Sequence, residues 1–492
     1  MRILKYSLII VAFFSVTIAQ QSVEEMMKQM QQQVDREMKK NEEAVAKYIS
    51  RDDSLFAEFL KNQWKAFDAK AGAKADSLPK PMEIPVIPET KIQYEKYLPI
   101  DVDLPELEVD TKIDPEIVPR KIPVSAQKIY KGLTLSFFGK KLKFQYNPEA
   151  KISIKKPVNK KTILEYWNEM SKIETEPMIK QVEEYSQLLK LNDYGRYLLV
   201  KQISGEFLPD NDSRILFCWY VMTKMGFDVR VGYGRNFTLL MIPSDNMLYA
   251  RAFLTIKGQK FFIFTLDEAK KQKFDQIYSY DKNHPDANKH FDFAIKSLPK
   301  IGKYKKEKEL KFLYQKKEYR VKYNYNEEII KFFTYYPQTE YPIYFKAPIS
   351  NNILYSFVKS FKPIIEDKSE QEALNIILRF VQTAFAYKTD DDNFGREKPL
   401  IPDETFYYKY SDCEDRSILF AVLVKEMLGL KTVGLKYSGH MAIGVQAKSH
   451  PKGDYVSSGK SKYLVCDPTY INANIGQSMP KYKNASIRII NF

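Results

Sequence analysis

Cysteine is scarce in this sequence: Cys218, Cys413 and Cys466 are the whole set in 492 residues. Three thiols cannot build a disulfide framework, and at least one must stay unpaired. Histidine is nearly as rare. Its four positions, His284, His290, His440 and His450, show no metal-ligand spacing against the cysteines, so no metal and no cofactor is expected. The run Asp390-Asp391-Asp392-Asn393 has calcium-like composition, but no bidentate glutamate follows at loop spacing, and it reads as a solvated turn. No apolar run beyond the N-terminus is long enough to span a bilayer. Nor does any nucleic-acid-binding motif accompany the lysines, which are spread among acids. The net charge of +15 therefore points to an anionic lipid surface or cell-envelope polymer rather than to nucleic acid.

What is present begins with an export signal. Arg2 and Lys5 form a positive start, Leu8 to Ile18 an apolar stretch, and Thr17-Ile18-Ala19 a small-residue site before Gln20. No lipoprotein cysteine follows. Residues 1–19 are expected to be a signal peptide, with the mature chain periplasmic or secreted from a bacterial cell envelope.

The length favours two or three domains. Residues 20–77 read as a helical arm, with Phe56, Phe59, Leu60, Trp64 and Phe67 at helical spacing and Ser54 as a cap. Residues 78–123 carry recurrent prolines, which forbid long helices and predict an extended linker lying along or away from the body. Beyond it, "GLTLSFFGKKLKFQY" predicts a hairpin turning at Gly139-Lys140. Helical pattern fills 161–207 and 352–385. Between them, "ELKFLYQKKEYRVKYN" and "EIIKFFTYYP" predict a β-rich connector, residues 305–350, ahead of a C-terminal domain, 351–492.

Two stretches resemble each other. "DNDSRILFCWYVMTKMGFDVRVGYG" from Asp210 matches "CEDRSILFAVLVKEMLGLKTVGLKYS" from Cys413, with Ile215-Leu216-Phe217 on Ile418-Leu419-Phe420 and Gly226 on Gly429. Each runs on into strands. The earlier copy has Asp210 where the later has Cys413, and Asn236-Phe237 near the place of His440. A duplication that lost its nucleophile is the expectation.

In the later copy, Ser411 with Glu414, or Asp412 with Asp415, predicts a helix start. Cys413 then lies in the first helical turn, where free N–H groups favour a thiolate and the flanking acids oppose it. His440 opens the alternating strand "HMAIGV", sharing a face with Ala442 and Gly444, small residues that would leave room for a substrate. Asp467 ends the strand "KYLVCD". Cys218 and Cys466 fall in apolar patterns and read as core.

Cysteine, histidine and aspartate on helix, strand and strand resemble the transglutaminase-like superfamily of papain-like fold. The motifs are "DCEDRSILFAVLVKEMLGL", "GHMAIGV" and "CDPTY". The resemblance implies an α+β chain with a transglutaminase-like domain at 351–492 and, through the repeat, a degenerate one at 124–304. It implies Cys413 as nucleophile, His440 as base, Asp467 as orienter and Gln382 as oxyanion donor. The implied activity is acyl transfer or hydrolysis on peptide-like amides, as in a cysteine peptidase, amidase or transamidase. The alternative is a catalytically idle scaffold bound to the envelope.

Overall fold

The computed structural model describes residues 25–34, 36–37, 40, 51–74, 84–90, 130–235, 237–267, 274, 276–303 and 306–492. The expected signal segment and most of the proline-rich stretch lie outside these residues. Helices and largely antiparallel sheets mix along the chain, as an α+β fold requires.

The arm differs from expectation. Its helix covers 51–62 and buries Phe56 and Leu60, but Trp64–Asp68 is a strand, β1. Strand β1 pairs antiparallel with Gln276–Tyr280, joining Trp64 to Tyr280 and Phe67 to Ile277. Helical spacing placed Trp64 and Phe67 on a helix; an open sheet edge recruits them instead, since aromatic residues suit a pleated edge. The helix is also clamped from below. The Asp53 carboxylate accepts from Lys224 Nζ at 3.0 Å and His284 Nε2 at 3.2 Å, all three groups being buried or nearly so. Residues 51–74 therefore belong to the first folded unit. Asp53→Ala leaves a buried ammonium and imidazole without their acceptor, and should cost about 3–5 kcal/mol in denaturant unfolding. A loss below about 1 kcal/mol would show that the clamp is dispensable.

Strands β2 (Lys131–Phe137) and β3 (Lys140–Tyr146) form the expected hairpin. Its turn residues are Phe138 and Gly139, one place earlier than predicted, and both have positive φ, which matches the right-handed twist of the strands. Helices Lys160–Met170, Glu176–Leu188, Asp193–Phe207 and Asn211–Lys224 follow. Next come β4 (Arg230–Tyr233), β5 (Thr238–Pro243), β6 (Phe253–Ile256), β7 (Gln259–Phe264) and β8 (Gln276–Tyr280).

The connector is half as expected. Strands β9 (Lys306–Tyr314) and β10 (Lys317–Tyr325) form a hairpin. "EIIKFF", however, is the helix Glu327–Phe333. Its β-branched and aromatic residues read as strand by propensity. Asn326 overrides that by accepting the Glu328 N–H at 3.0 Å and capping a helix that buries Ile329, Ile330, Phe332 and Phe333.

Beyond the connector stand helices Asn351–Ile365 and Glu370–Thr383, and the short parallel pair β11 (Ala386–Tyr387) and β12 (Tyr410–Ser411). Then follow the helix Cys413–Leu428 and strands β13 (Thr432–Tyr437), β14 (His440–Val445), β15 (Tyr455–Ser458), β16 (Ser461–Cys466) and β17 (Arg488–Ile490).

The two sheets share one topology. The first runs β1-β8-β4-β5-β7-β6 and the second β17-β13-β14-β16-β15. With β1 removed, each follows one helix, each visits its five strands in the same spatial order, and the corresponding neighbours are antiparallel. The registers agree as well: Leu240 faces Phe264, and Ile443, 203 places on, faces Cys466, 202 places on. Both helices end on a glycine of positive φ, Gly226 and Gly429, where a left-handed residue closes the last turn. The two units thus share strand order and register, as the sequence repeat predicts.

Candidate active site

The helix Cys413–Leu428 starts as its sequence indicates. Asp412 is the N-cap, and its backbone N–H donates to Asp415 Oδ2 at 3.3 Å. Asp415 Oδ1 takes the Leu400 N–H at 2.8 Å, fastening the helix start to the preceding loop. Cys413 is the first helical residue and is buried, in contact with the main helix–sheet core.

His440 and Asp467 are brought together. His440 Nε2 donates to Asp467 Oδ2 at 2.8 Å, and both side chains are buried. The other oxygen, Oδ1, accepts from the backbone N–H groups of Thr469 (2.9 Å) and Tyr470 (3.1 Å). Those two bonds hold the carboxylate while it holds the ring. The proton is thereby on Nε2, which leaves Nδ1 as the basic atom, and Nδ1 has no hydrogen-bond partner. Tyr482 stacks on the imidazole at 4.7 Å and 13°, with Tyr437 beyond at 6.0 Å.

Two expectations fail at this ring. The face of Ala442 and Gly444 is not open. Tyr437, Ala442, Val465, Tyr470 and Tyr482 pack there as a second apolar cluster, and a Cβ on Gly444 would lie 2.8 Å from that of Tyr463. Small residues here admit neighbouring side chains rather than a substrate. Nor does the imidazole hydrogen-bond the thiol, although the two are near neighbours: the N–H of Met441, next along the strand from His440, points to Cys413, and the charge of Cys413 reaches Tyr482, which stacks on the imidazole. The Cys413 thiol donates to Glu414 Oε2 at 3.1 Å instead. Burial pushes the thiol well above its ordinary range, the Asp412 charge adds to this, and the Met441 N–H opposes it.

Gln382 does not serve as an oxyanion donor in this arrangement. Its Nε2 lies within hydrogen-bond reach of three carbonyls, those of Asp467 (3.0 Å), Tyr470 (2.7 Å) and Ala473 (3.0 Å), and its Oε1 takes the Asn472 N–H at 3.2 Å. Both ends of the amide are spent on the loop that carries Asp467. Gln382 is a positioning residue. The neighbouring Arg379, one helical turn earlier, grips the same loop through Asn472 Oδ1 (2.6 Å) and the Asn472 carbonyl (3.1 Å).

Sequence reasoning missed the acids around the thiol. Asp390, expected in a solvated turn, is buried, and one oxygen each from Asp390, Asp412 and Glu414 lie within 4.8 Å of one another. Among the described residues, no N–H or hydroxyl donor reaches either Asp412 oxygen, Glu414 Oε1 or the Glu397 oxygens; Glu414 instead lies within hydrogen-bond reach of the Asp412 and Glu397 carboxyl groups. Arg416 is buried beside them, but its N–H groups go to Ser411 Oγ and to the carbonyls of Gln382 and Phe385. Lys398 Nζ is paired with Glu404. Uncompensated carboxylates out of water must take up protons or a cation. Accordingly burial raises Asp390 to about 9 and Asp415 to about 7, and pushes Asp412 and Glu414 well up. Three convergent carboxylates of this kind fit a hard divalent cation such as calcium or magnesium. No contiguous motif could show this, because Asp390 arrives from 22 residues upstream of Asp412.

The other thiols are core. Cys218 lies in the helix Asn211–Lys224 and is fully buried, its thiol raised to about 11 by burial; Cys466 is likewise buried. In the earlier copy Asp210 caps the helix by accepting the Ser213 N–H at 3.0 Å. Counting from the caps, Asn211 stands where Cys413 stands; counting from the shared Ile-Leu-Phe run, Asp210 does. The strand register puts Phe237 and Thr265 in the places of His440 and Asp467. Neither alignment gives the earlier copy a nucleophile or a base. Comparison with family models, curated proteins and solved structures returns no match.

Proposed function

We propose that this chain is an exported thiol enzyme of transglutaminase-like type that acts on peptide-like amides, with the earlier copy a degenerate domain of the same kind. Cys413 is the nucleophile, His440 Nδ1 its base, and Asp467 fixes the tautomer and balances the imidazolium. The thiolate attacks the amide carbonyl, and the imidazolium returns the proton to the departing amine. Water or a second amine then resolves the thioester. The basic surface favours substrates or neighbours in an anionic envelope.

The observation that carries this reading is the buried His440–Asp467 bond of 2.8 Å, which leaves Nδ1 free beside the start of a cysteine-headed helix. A basic nitrogen without a partner at 0% side-chain exposure is costly unless it is used. The structure then represents a resting form, in which the thiol keeps its proton and donates it to Glu414 rather than to His440. A cation seated on the acid cluster would occupy Glu414 and release the thiol to His440.

A second reading has its own observation. Cys413 is 1% exposed and makes no hydrogen bond to His440, as an idle binding module would allow. Thiol alkylation separates the two. Enzyme chemistry expects Cys413 to react with iodoacetamide well below the ordinary thiol range in millimolar calcium, and His440→Ala to abolish that low-pH limb. Uniformly slow alkylation, identical in His440→Ala, would support the idle module.

A further inference from the structure

Residues 84–90, Ile-Pro-Val-Ile-Pro-Glu-Thr, lie extended on the C-terminal unit, joined to the loop at Ile471 by a parallel bridge at Val86. Ile471 N donates to the Pro85 carbonyl at 3.1 Å, Ile87 N to the Ile471 carbonyl at 3.2 Å, and Asn472 Nδ2 to the Ile87 carbonyl at 2.8 Å. The prolines fall at 85 and 88, where no N–H is asked to donate, and they hold the segment extended. Side chains alternate as a strand requires. Val86 and Pro88 face outward, whereas Ile87 packs on the apolar cluster with Tyr437, Tyr470 and Tyr482. Glu89, two residues on, reaches the buried Arg379 guanidinium at 3.3 Å and takes the Gln315 N–H at 2.8 Å. Past Glu89 a cleft of about 450 Å³ continues, lined by Lys311, Lys316, Arg379 and Asn472 among others.

We propose that this groove is a binding site for an extended, proline-flanked acidic peptide, and that residues 84–90 are its resident and exchangeable ligand. Main-chain bonds supply the affinity, while the Ile87 pocket and the Arg379 end supply the specificity. Among the described residues nothing pairs with the outer edge of the bound segment, so its hold is expected to depend on tethering through the flanking chain at millimolar effective concentration. An external peptide or envelope protein of the same pattern can displace it. The groove floor is the loop from Asp467 to Asn474, gripped from below by Gln382 and Arg379. Occupancy therefore reaches the carboxylate that orients His440. This coupling, unlike the binding itself, rests on the reading of Cys413, His440 and Asp467 as the reactive site.

The test uses full-length chain with residues 84–90 replaced by a glycine–serine linker of equal length, and a fluorescent peptide of residues 84–90. Saturable binding to this variant, binding to the parent chain only at concentrations that compete with the tethered segment, and binding at least about tenfold weaker for the Glu89→Ala peptide are expected. A second preparation guards against misfolding. The otherwise native chain carries protease sites at 78–81 and 92–95 and is cut after folding, and the freed segment should exchange with labelled peptide. No saturable binding in either preparation overturns the site. Cys413 alkylation is read in parallel, and adding peptide to the linker variant should shift its rate toward that of the parent. Peptide binding with an unchanged alkylation rate refutes the coupling and leaves the groove standing.

Discussion

On the proposed reading, Cys413→Ala should lower amide cleavage or transfer by on the order of 10⁴-fold or more, while Cys218→Ala and Cys466→Ala should leave it within about twofold. The asymmetry follows from placement. Cys218 sits two turns into a helix, packed among Trp219, Phe217 and Leu216, and Cys466 occupies a strand whose partner across the sheet is Ile443. Neither has a base or a helix terminus within its surroundings. Cys413 has the helix start, the Met441 N–H and the edge of the strand that His440 opens. Turnover of peptide-like amides from envelope extracts, followed by intact mass of the trapped acyl-enzyme, is the measurement. An acyl adduct on Cys218, or activity that survives Cys413→Ala, would end the proposed mechanism. The assay must be run with a divalent cation present, because the resting thiol hydrogen-bonds Glu414 rather than His440.

Much of this was legible from short-range pattern. The cap before Cys413, the strand phases of His440 and Asp467 and the 203-residue offset all come from periodicities of two and 3.6, and those survive in a folded core. The two units share one strand order, as the repeat predicts, because topology is set by these local patterns and by short connections. What was illegible is long-range. Strand β1 forms because β8, more than 200 residues later, offers it an edge. Gln382 turns to the loop at 467–473 because three carbonyls there converge on its Nε2, and no spacing from Cys413 encodes that. The idea of substrate room beside His440 failed for a related reason: small residues in a strand say that something packs there, not what.

The acid cluster is the largest surprise, and it changes how the chain should respond to pH and to cations. Asp390 is raised to about 9 and Asp415 to about 7, in both cases first by burial, from an ordinary 3.8. A carboxyl raised on folding holds its proton more tightly in the native state. Its stabilising contribution is therefore complete below about pH 4 and is lost as pH climbs through 7 and then 9. In a chelator, the melting temperature should fall between pH 5.5 and pH 9 by roughly 5 °C or more, and Asp390→Asn should flatten that fall. Calcium reverses the trend, since it takes the place of the protons on Asp390, Asp412 and Glu414. At pH 8, millimolar calcium should raise the melting temperature, release protons into a weakly buffered solution and speed Cys413 alkylation together. Asp412→Asn should blunt all three, because Asp412 is buried with no N–H or hydroxyl donor on either oxygen among the described residues and stands with Asp390 and Glu414 in the cluster. The proton release is the discriminating readout. Nonspecific screening by added salt stabilises a basic surface without expelling protons from buried carboxyls, whereas a cation seated among these three must expel them. A melting temperature that rises from pH 5.5 to pH 9 in chelator, or a calcium response unchanged in Asp412→Asn, would mean that the cluster is held by protons alone and that the thiol is freed by some other route.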